Sequence, residues 1–173
     1  MPSMSPSVAI AKFLEAAGCE FFFGVVGHGN WALLDALANT RIRGVRARCE
    51  DHAVHMADCY WRSKRQPPPA VVVASGGPGA TNLIPALAEA YYSSVALVAL
   101  VGAGPSQWFD RGGIQEAYRT APESWVSLAR PVAKRALMVN RPDTTLEMFV
   151  RAYKEAITGR PGPVVVQIPF DIQ

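Results

Sequence analysis

Four short segments hold most of the side chains in this sequence that can do chemistry at a shared place: Gly27-His28-Gly29-Asn30, Cys49-Glu50-Asp51-His52, Ser75 to Asn82, and Gly102 to Glu116. The first and third are glycine-rich, which lets backbone amides approach a ligand closely. Their glycine order is wrong for a dinucleotide: Gly24, Gly27 and Gly29 read GxxGxG, where pyrophosphate contact needs GxGxxG. On residue types alone, these glycines equally suit a tight strand-to-helix turn. No GxxxxGK[ST] occurs, so a Walker-type phosphate loop is excluded. The second segment concentrates Glu50, Asp51 and His52, with His55 close behind. The two histidines share a helix face at i and i+3, but no HExxH or comparable set completes a metal site. Acids at a helix N-terminus are favoured by the helix dipole alone. That explanation suits Asp51 better than Glu50, which the pattern places at a strand end, where a ligand would pass.

The elements that must position these segments follow from the apolar pattern. Ser7 is expected to cap a first helix through Ala17, ended by Gly18. Glu20 to Val26 reads as a strand buried on both faces. Asn30 is expected to cap a helix through Asn39, followed by a strand over Gly44 to Arg48 and a helix from about Asp51 to Ser63. Ala70 to Ala74 is a third strand, Ala80 to Tyr92 a helix and Val95 to Val101 a fourth strand. The segment from Gly102 to Glu123 reads as a long loop with a helical turn. Pro131 to Leu137 is a fifth strand, and a helix runs from Pro142 to about Thr158, with Gly159 after it. Val164 to Ile168 is the sixth. Strands alternating with helices predict a doubly wound α/β domain: a mostly parallel six-stranded sheet with helices on both faces. In such sheets ligands lie outside the carboxyl ends of the strands, where all four chemical segments fall.

Composition narrows the function class. With 50 % apolar and 18 % charged residues the chain can fill a core, which excludes disorder. The longest largely apolar stretch, Val95 to Gly104, is well short of the roughly 20 residues a bilayer crossing needs, and the N-terminus lacks the pattern of a secretory signal. A net charge of +3 gives no footprint for nucleic acid. Cys19, Cys49 and Cys59 form no CxxC pair and read as reduced thiols of a cytoplasmic protein.

Together the residues resemble a known family. RCEDHAVHMADCYWR (Arg48 to Arg62) resembles the Arg-x-Glu-x-x-Ala-x-x-Met-Ala-x-x-Tyr stretch of thiamine-diphosphate enzymes of the acetolactate synthase and 2-oxo acid decarboxylase type. Ala74 to Gly102 is similar to that family's Ser-Gly-Pro-Gly-Ala-Thr-Asn strand–turn–helix–strand block, although Gly76 stands where the family more often has Ser. RGGIQE (Arg111 to Glu116) resembles its Phe-Gln-Glu segment, and RPGPVVVQIPFDIQ the end of the same domain. GVVGHGN looks most like the hydrolases of inositol breakdown that split a cyclic dione. Acetolactate synthases more usually have Gly-x-Pro-Gly there.

The resemblance implies that residues 1–173 form a pyrimidine-binding (PYR) domain. No Gly-Asp-Gly motif for magnesium and diphosphate occurs, so the diphosphate-binding (PP) domain is absent from this sequence. With Met1 at its start, the chain reads as a separate PYR subunit. Its site would be completed by a PP-domain partner that binds Mg2+, in an α2β2 or larger assembly. Glu50 is assigned the carboxylate that hydrogen-bonds N1′ of the coenzyme's aminopyrimidine, so that the ring's own 4′-amine serves as base at thiazolium C2. The coenzyme, thiamine diphosphate, then takes up the electrons as CO2 leaves a 2-oxo acid.

His28 and Gln115 are the other candidate catalytic side chains, His28 as proton donor or substrate contact and Gln115 facing the substrate. Gly27, Asn30, Gly77, Pro78, Gly79 and Asn82 are the coenzyme-binding candidates, and no residue of this chain is assigned to metal. The expected reaction is decarboxylation with acyl transfer to a second carbonyl. Simple decarboxylation, hydrolysis of a cyclic dione and a non-catalytic regulatory subunit are the alternatives. Retention of Glu50 argues against the last.

Overall fold

Strands that are apolar on both sides must be covered on both sides, and the computed structural model shows by what. It describes residues 4–64, 68–109, 111 and 125–173. Strands β1 (Phe21–Gly24), β2 (Arg43–Arg46), β3 (Ala70–Ala74), β4 (Leu97–Ala103), β5 (Arg135–Met138) and β6 (Val164–Pro169) form one sheet in the order β2-β1-β3-β4-β6-β5. Every neighbouring pair is parallel. Side chains along the central strands alternate between two cores, as the period of a strand requires. Val71, Val73, Val98 and Leu100 pack with α1 (Pro6–Ala16), α2 (Trp31–Ala38) and α7 (Thr145–Ile157) on one face. Ala70, Val72, Leu97 and Ala99 pack with α3 (Glu50–Lys64), α5 (Ile84–Tyr92) and α6 (Trp125–Ala129) on the other. The doubly wound α/β fold expected from the alternation of elements is the fold observed.

The strand order fixes where a ligand can sit. β1 lies between β2 and β3, so the chain leaves β1 toward one edge of the sheet and returns on its other side. The crevice opened by that reversal lies at the carboxyl ends of β1 and β3. The turns that close it are Val25 to Asn30 and Ser75 to Gly79. Among the described residues, no helix is long and apolar enough to cross a membrane.

Several boundaries differ from the sequence reading, each for a local reason. Ser5, not Ser7, caps α1: its Oγ accepts the Val8 N–H at 3.4 Å, and Pro6 occupies the first turn. Ser7 is buried inside the helix and its hydroxyl has no partner among the described residues. The helix expected over 80–92 is divided into α4 (Pro78–Thr81) and α5. Pro85 has no N–H to return to the Thr81 carbonyl, which costs the bond that would have joined them. The fifth strand begins at Arg135, because Arg130–Val132 continues α6 as a 3-10 turn around Pro131. The last helix is likewise preceded by a 3-10 turn at Pro142–Thr144. The glycine stops hold: Gly18 and Gly159 have φ of +82° and +65° after α1 and α7.

Candidate functional site

Glu50 is the first residue of α3, one step beyond the strand end where the sequence reading put it. The β2 ladder stops at Arg46, and the chain turns into the helix through Ala47 to Cys49. The consequence for chemistry is favourable, since a carboxylate at a helix start is stabilised by the dipole and points across the crevice mouth. Glu50 is only 9 % exposed. Asn82 Nδ2 donates to its Oε2 at 3.0 Å. Its Oε1 lies toward Gly79, where a Cβ would stand 2.9 Å away. Glu50, Gly79 and Asn82, three of the predicted site residues, therefore meet although they come from α3, α4 and the link to α5.

The turn after β3 is shaped for this encounter. Gly77 adopts φ +57° and ψ −124°, a conformation open to glycine and strained for other residues. Pro78 then starts α4. Small residues here leave the carboxylate room: the atoms nearest a Cβ on Gly79 are Glu50 Oε1 and Cδ, followed by the Ser75 Cβ.

The turn after β1 carries the other predicted residues. His28, Gly29 and Asn30 form a 3-10 turn that runs into α2. Asn30 is fully buried, and its side chain does not cap α2 as expected. It folds back instead: Oδ1 accepts the Gly27 N–H and Nδ2 donates to the Val25 carbonyl, both at 3.0 Å. The Gly29 N–H donates to Ser75 Oγ at 3.1 Å, which ties this turn to the one after β3. The close approach explains the glycines, since a Cβ on Gly27 would lie 2.4 Å from the Ser75 Cβ. His28 is half-buried, and its side chain forms no hydrogen bond among the described residues. Gln115 lies outside the described residues.

Two neighbours of Glu50 complete the electrostatics. The Cys49 thiol stands between two carboxylates, with Sγ 3.9 Å from Glu50 Oε2. Its hydrogen bond to Asp51, together with partial desolvation, pushes the thiol above its ordinary pKa. The same bond, aided by the His52 N–H donating to Asp51 Oδ1 at 2.8 Å, holds Asp51 below the usual carboxylate range. An open cleft of about 620 Å³ lined by Val25, Arg46, Ala47 and Arg48 adjoins the α3 N-terminus. Arg48, for which the sequence suggested a nearby acid, makes no ion pair among the described residues. Among those residues no group of three or more His, Cys, Asp and Glu converges as metal ligands would.

Sequence reasoning missed Ser75 and Gln173 as tie residues of this region. For Ser75 the signal available was a polar residue directly after the buried strand β3, which by itself does not say what it binds; Gln173, beyond the end of β6, carried no such signal.

The donor set suits a flat heterocycle with a ring nitrogen. A shielded carboxylate keeps one oxygen toward an open glycine shelf, while an amide occupies the other. Residues 4–121 match the model of the thiamine pyrophosphate enzyme N-terminal TPP binding domain. The chain is 34 % identical to a probable acetolactate synthase large subunit of Methanocaldococcus jannaschii over 170 residues, 98 % of this chain and 27 % of that protein. It is 35 % identical over 171 residues to the acetolactate synthase large subunit of Corynebacterium glutamicum, covering 98 % of this chain and 26 % of that one. To acetolactate synthase 3, chloroplastic, of Brassica napus it is 34 % identical over 165 residues, 95 % of this chain and 24 % of the plant protein. The chain thus spans about a quarter of the length of the curated relatives it matches. Over its matched residues it belongs to the thiamine pyrophosphate enzymes, as their N-terminal TPP-binding domain.

Proposed function

We propose that residues 1–173 are the pyrimidine-binding half of a thiamine-diphosphate site in an acetolactate synthase-like enzyme, with Glu50 as the carboxylate facing N1′ of the coenzyme. The observation that carries this reading is the state of Glu50: shielded from water, oriented by Asn82 through Oε2, and open at Oε1 over Gly79. Glu50 holds the proton shared with the ring at Oε1, and Asn82 keeps the carboxyl plane from turning. Gly77, Pro78 and Gly79 supply the shelf on which a planar ring rests. Gly27 and Asn30 hold the opposite wall, from which His28 donates a proton to, or contacts, the substrate carbonyl. When bound, thiamine diphosphate supplies the carbon nucleophile and the electron sink for loss of CO2 from a 2-oxo acid.

In this reading the magnesium and diphosphate ligands are supplied by a PP domain, which we place in a partner chain of an α2β2 or larger assembly, since these 173 residues contain no Gly-Asp-Gly motif. Val26 (61 % exposed), Trp31 (58 %), Trp108 and Phe170 leave large apolar side chains in solvent after β1, β4 and β6, around the mouth a second domain would cover. The relatives are synthases, which favours acyl transfer to a second carbonyl over simple decarboxylation. Gln115 would face that acceptor.

The test is Glu50→Gln in the protein assembled with its PP domain. Turnover of a 2-oxo acid, with pyruvate as the probe, is expected to fall about 10²–10⁴-fold, the range lost with an acid–base group, while the assembly stays folded. Activity near that of the unmodified protein would refute the assignment.

A further inference from the structure

Asn30 does not cap α2, and that leaves its first-turn amides to be satisfied from elsewhere. The Leu33 N–H, third in the helix, donates to Gln173 Oε1 at 3.4 Å. The other end of the same side chain donates from Nε2 to the Gly29 carbonyl at 2.5 Å and to the Ile168 carbonyl at 3.0 Å. Gln173 is 8 % exposed, and its main-chain carbonyl accepts the Ser7 N–H at 3.0 Å. One buried residue beyond β6 thus joins α1, α2, β6 and the turn that carries His28.

The bonds on Gly29 come from opposite sides. Ser75, after β3, accepts its N–H, and Gln173 takes its carbonyl. Gly102 of β4 packs against the same carbonyl so closely that a Cβ there would lie 1.9 Å from the Gly29 oxygen. Asn30 holds the two residues that lead into the turn. The main chain around His28 is therefore fixed by three separate elements, while the imidazole itself forms no hydrogen bond among the described residues. A fixed backbone carrying an unengaged polar side chain is how a group is kept ready for a ligand.

We infer that Gln173 is a positioning residue: with Ser75 it clamps the Gly29 peptide and so sets the direction from which His28 enters the site. This rests on the reading of the site given above. A glutamine is suited to the task because one planar amide offers an acceptor to Leu33 and two donors to the two carbonyls. Glutamate would set carboxylate oxygens against both carbonyls, and methionine would fill the same space with no hydrogen bonds.

The experiment uses Gln173→Met and Gln173→Glu in the protein assembled with its PP domain. Hydrogen exchange of the peptide over residues 28–33 is expected to quicken in both variants. With thiamine diphosphate and pyruvate, kcat is expected to fall about 10- to 100-fold while KM changes less than about threefold, as for misplacement of a reacting group. In a His28→Ala background the same substitutions are expected to cost less than about threefold, because the group they position is gone. Phe149→Leu, a core change on the same face, controls for stability and is expected to leave kcat in place. Unchanged exchange over 28–33 in both variants overturns the clamp. A kcat loss undiminished in the His28→Ala background, or a His28→Ala protein that turns over normally, overturns the positioning role while leaving the Glu50 reading intact. Unimpaired Glu50→Gln turnover alongside quickened exchange would mark failure of that reading instead.

Discussion

The turn after β1 and the turn after β3 face each other across one crevice and are built in opposite ways. The first is held by side chains from distant elements: Asn30 on Gly27 and Val25, Ser75 on the Gly29 N–H, Gln173 on the Gly29 carbonyl. The second is set by its own residues. Gly77 takes a left-handed φ, Pro78 starts a short helix, and the Thr81 N–H closes on the Gly77 carbonyl. The first turn presents a side chain, His28, from a fixed backbone. The second receives one, Glu50, into space left by glycine. Rigidity is needed on the presenting side and vacancy on the receiving side, so glycines in the two turns do different work: close approach of backbones in one, clearance for a carboxylate in the other.

The sharpest way to break this contrast is Gly102→Ala. The added methyl meets main-chain atoms of Gly29 at 1.9 and 2.3 Å, which no rotamer can relieve. Either β4 or the Gly29 turn must move, and overpacking of this kind costs about 3 kcal/mol. Urea unfolding of the assembled protein should show that loss, and turnover should fall with it, since the displaced turn carries His28. A variant with unchanged stability and turnover would show that the first turn is not fixed by its neighbours.

The same contrast explains what could be read from the sequence. Parallel strands place every strand-to-helix turn at one edge of the sheet, so the alternation of elements alone brought Gly27–Asn30, Glu50 and Ser75–Asn82 to one place. The receiving turn was legible because its conformation is local: Gly77, Pro78 and Gly79 announce it. Glu50 was found, yet placed at a strand end rather than at the head of α3, because the pattern left it between a strand over 44–48 and a helix expected from about Asp51. The ties of the presenting turn were illegible for a physical reason. Ser75 lies 46 residues from Gly29, and Gln173 lies 140 from Leu33, and nothing near either residue encodes its partner. Asn30 was recognised as important for the wrong bond, since a buried asparagine serves a cap or a turn equally well until its surroundings are known.

On the receiving side, Gly79→Ala should separate chemistry from stability. The nearest atom to the new methyl is Glu50 Oε1 at 2.9 Å, the far end of a flexible side chain that can swing aside. Stability is expected to change by less than about 1 kcal/mol, as for substitutions that neither open a cavity nor strand a polar group. The carboxylate, however, loses its place, and kcat should drop roughly tenfold or more through misalignment. Thermal unfolding read beside kcat decides the matter: a large fall in stability with kcat unmoved would mean that Gly79 serves the fold and not the carboxylate.

The smallest expected effect concerns Cys49, which shares the mouth of α3 with Glu50. Its interaction with Asp51 raises the pKa of the thiol and lowers that of Asp51. The signs are opposite and define a window. Asp51 contributes stability above the ordinary carboxyl range and loses it as pH falls through its lowered value. Cys49 contributes below the ordinary thiol range and loses it as pH rises through its raised value. Within that window the reactive thiolate is scarce, so iodoacetamide at pH 7.5 should label exposed Cys59 before half-buried Cys49, as mass spectrometry of the two peptides would report. Asp51→Asn removes the charge that holds the thiol protonated and should speed labelling of Cys49 by roughly threefold or more, without changing Cys59. Equal rates at Cys49 in both proteins would mean that the thiol is shielded only by burial. The acids at the start of α3 would then divide differently, with Asp51 serving the helix dipole alone and Glu50 left as the only acid there engaged by a side chain from another element.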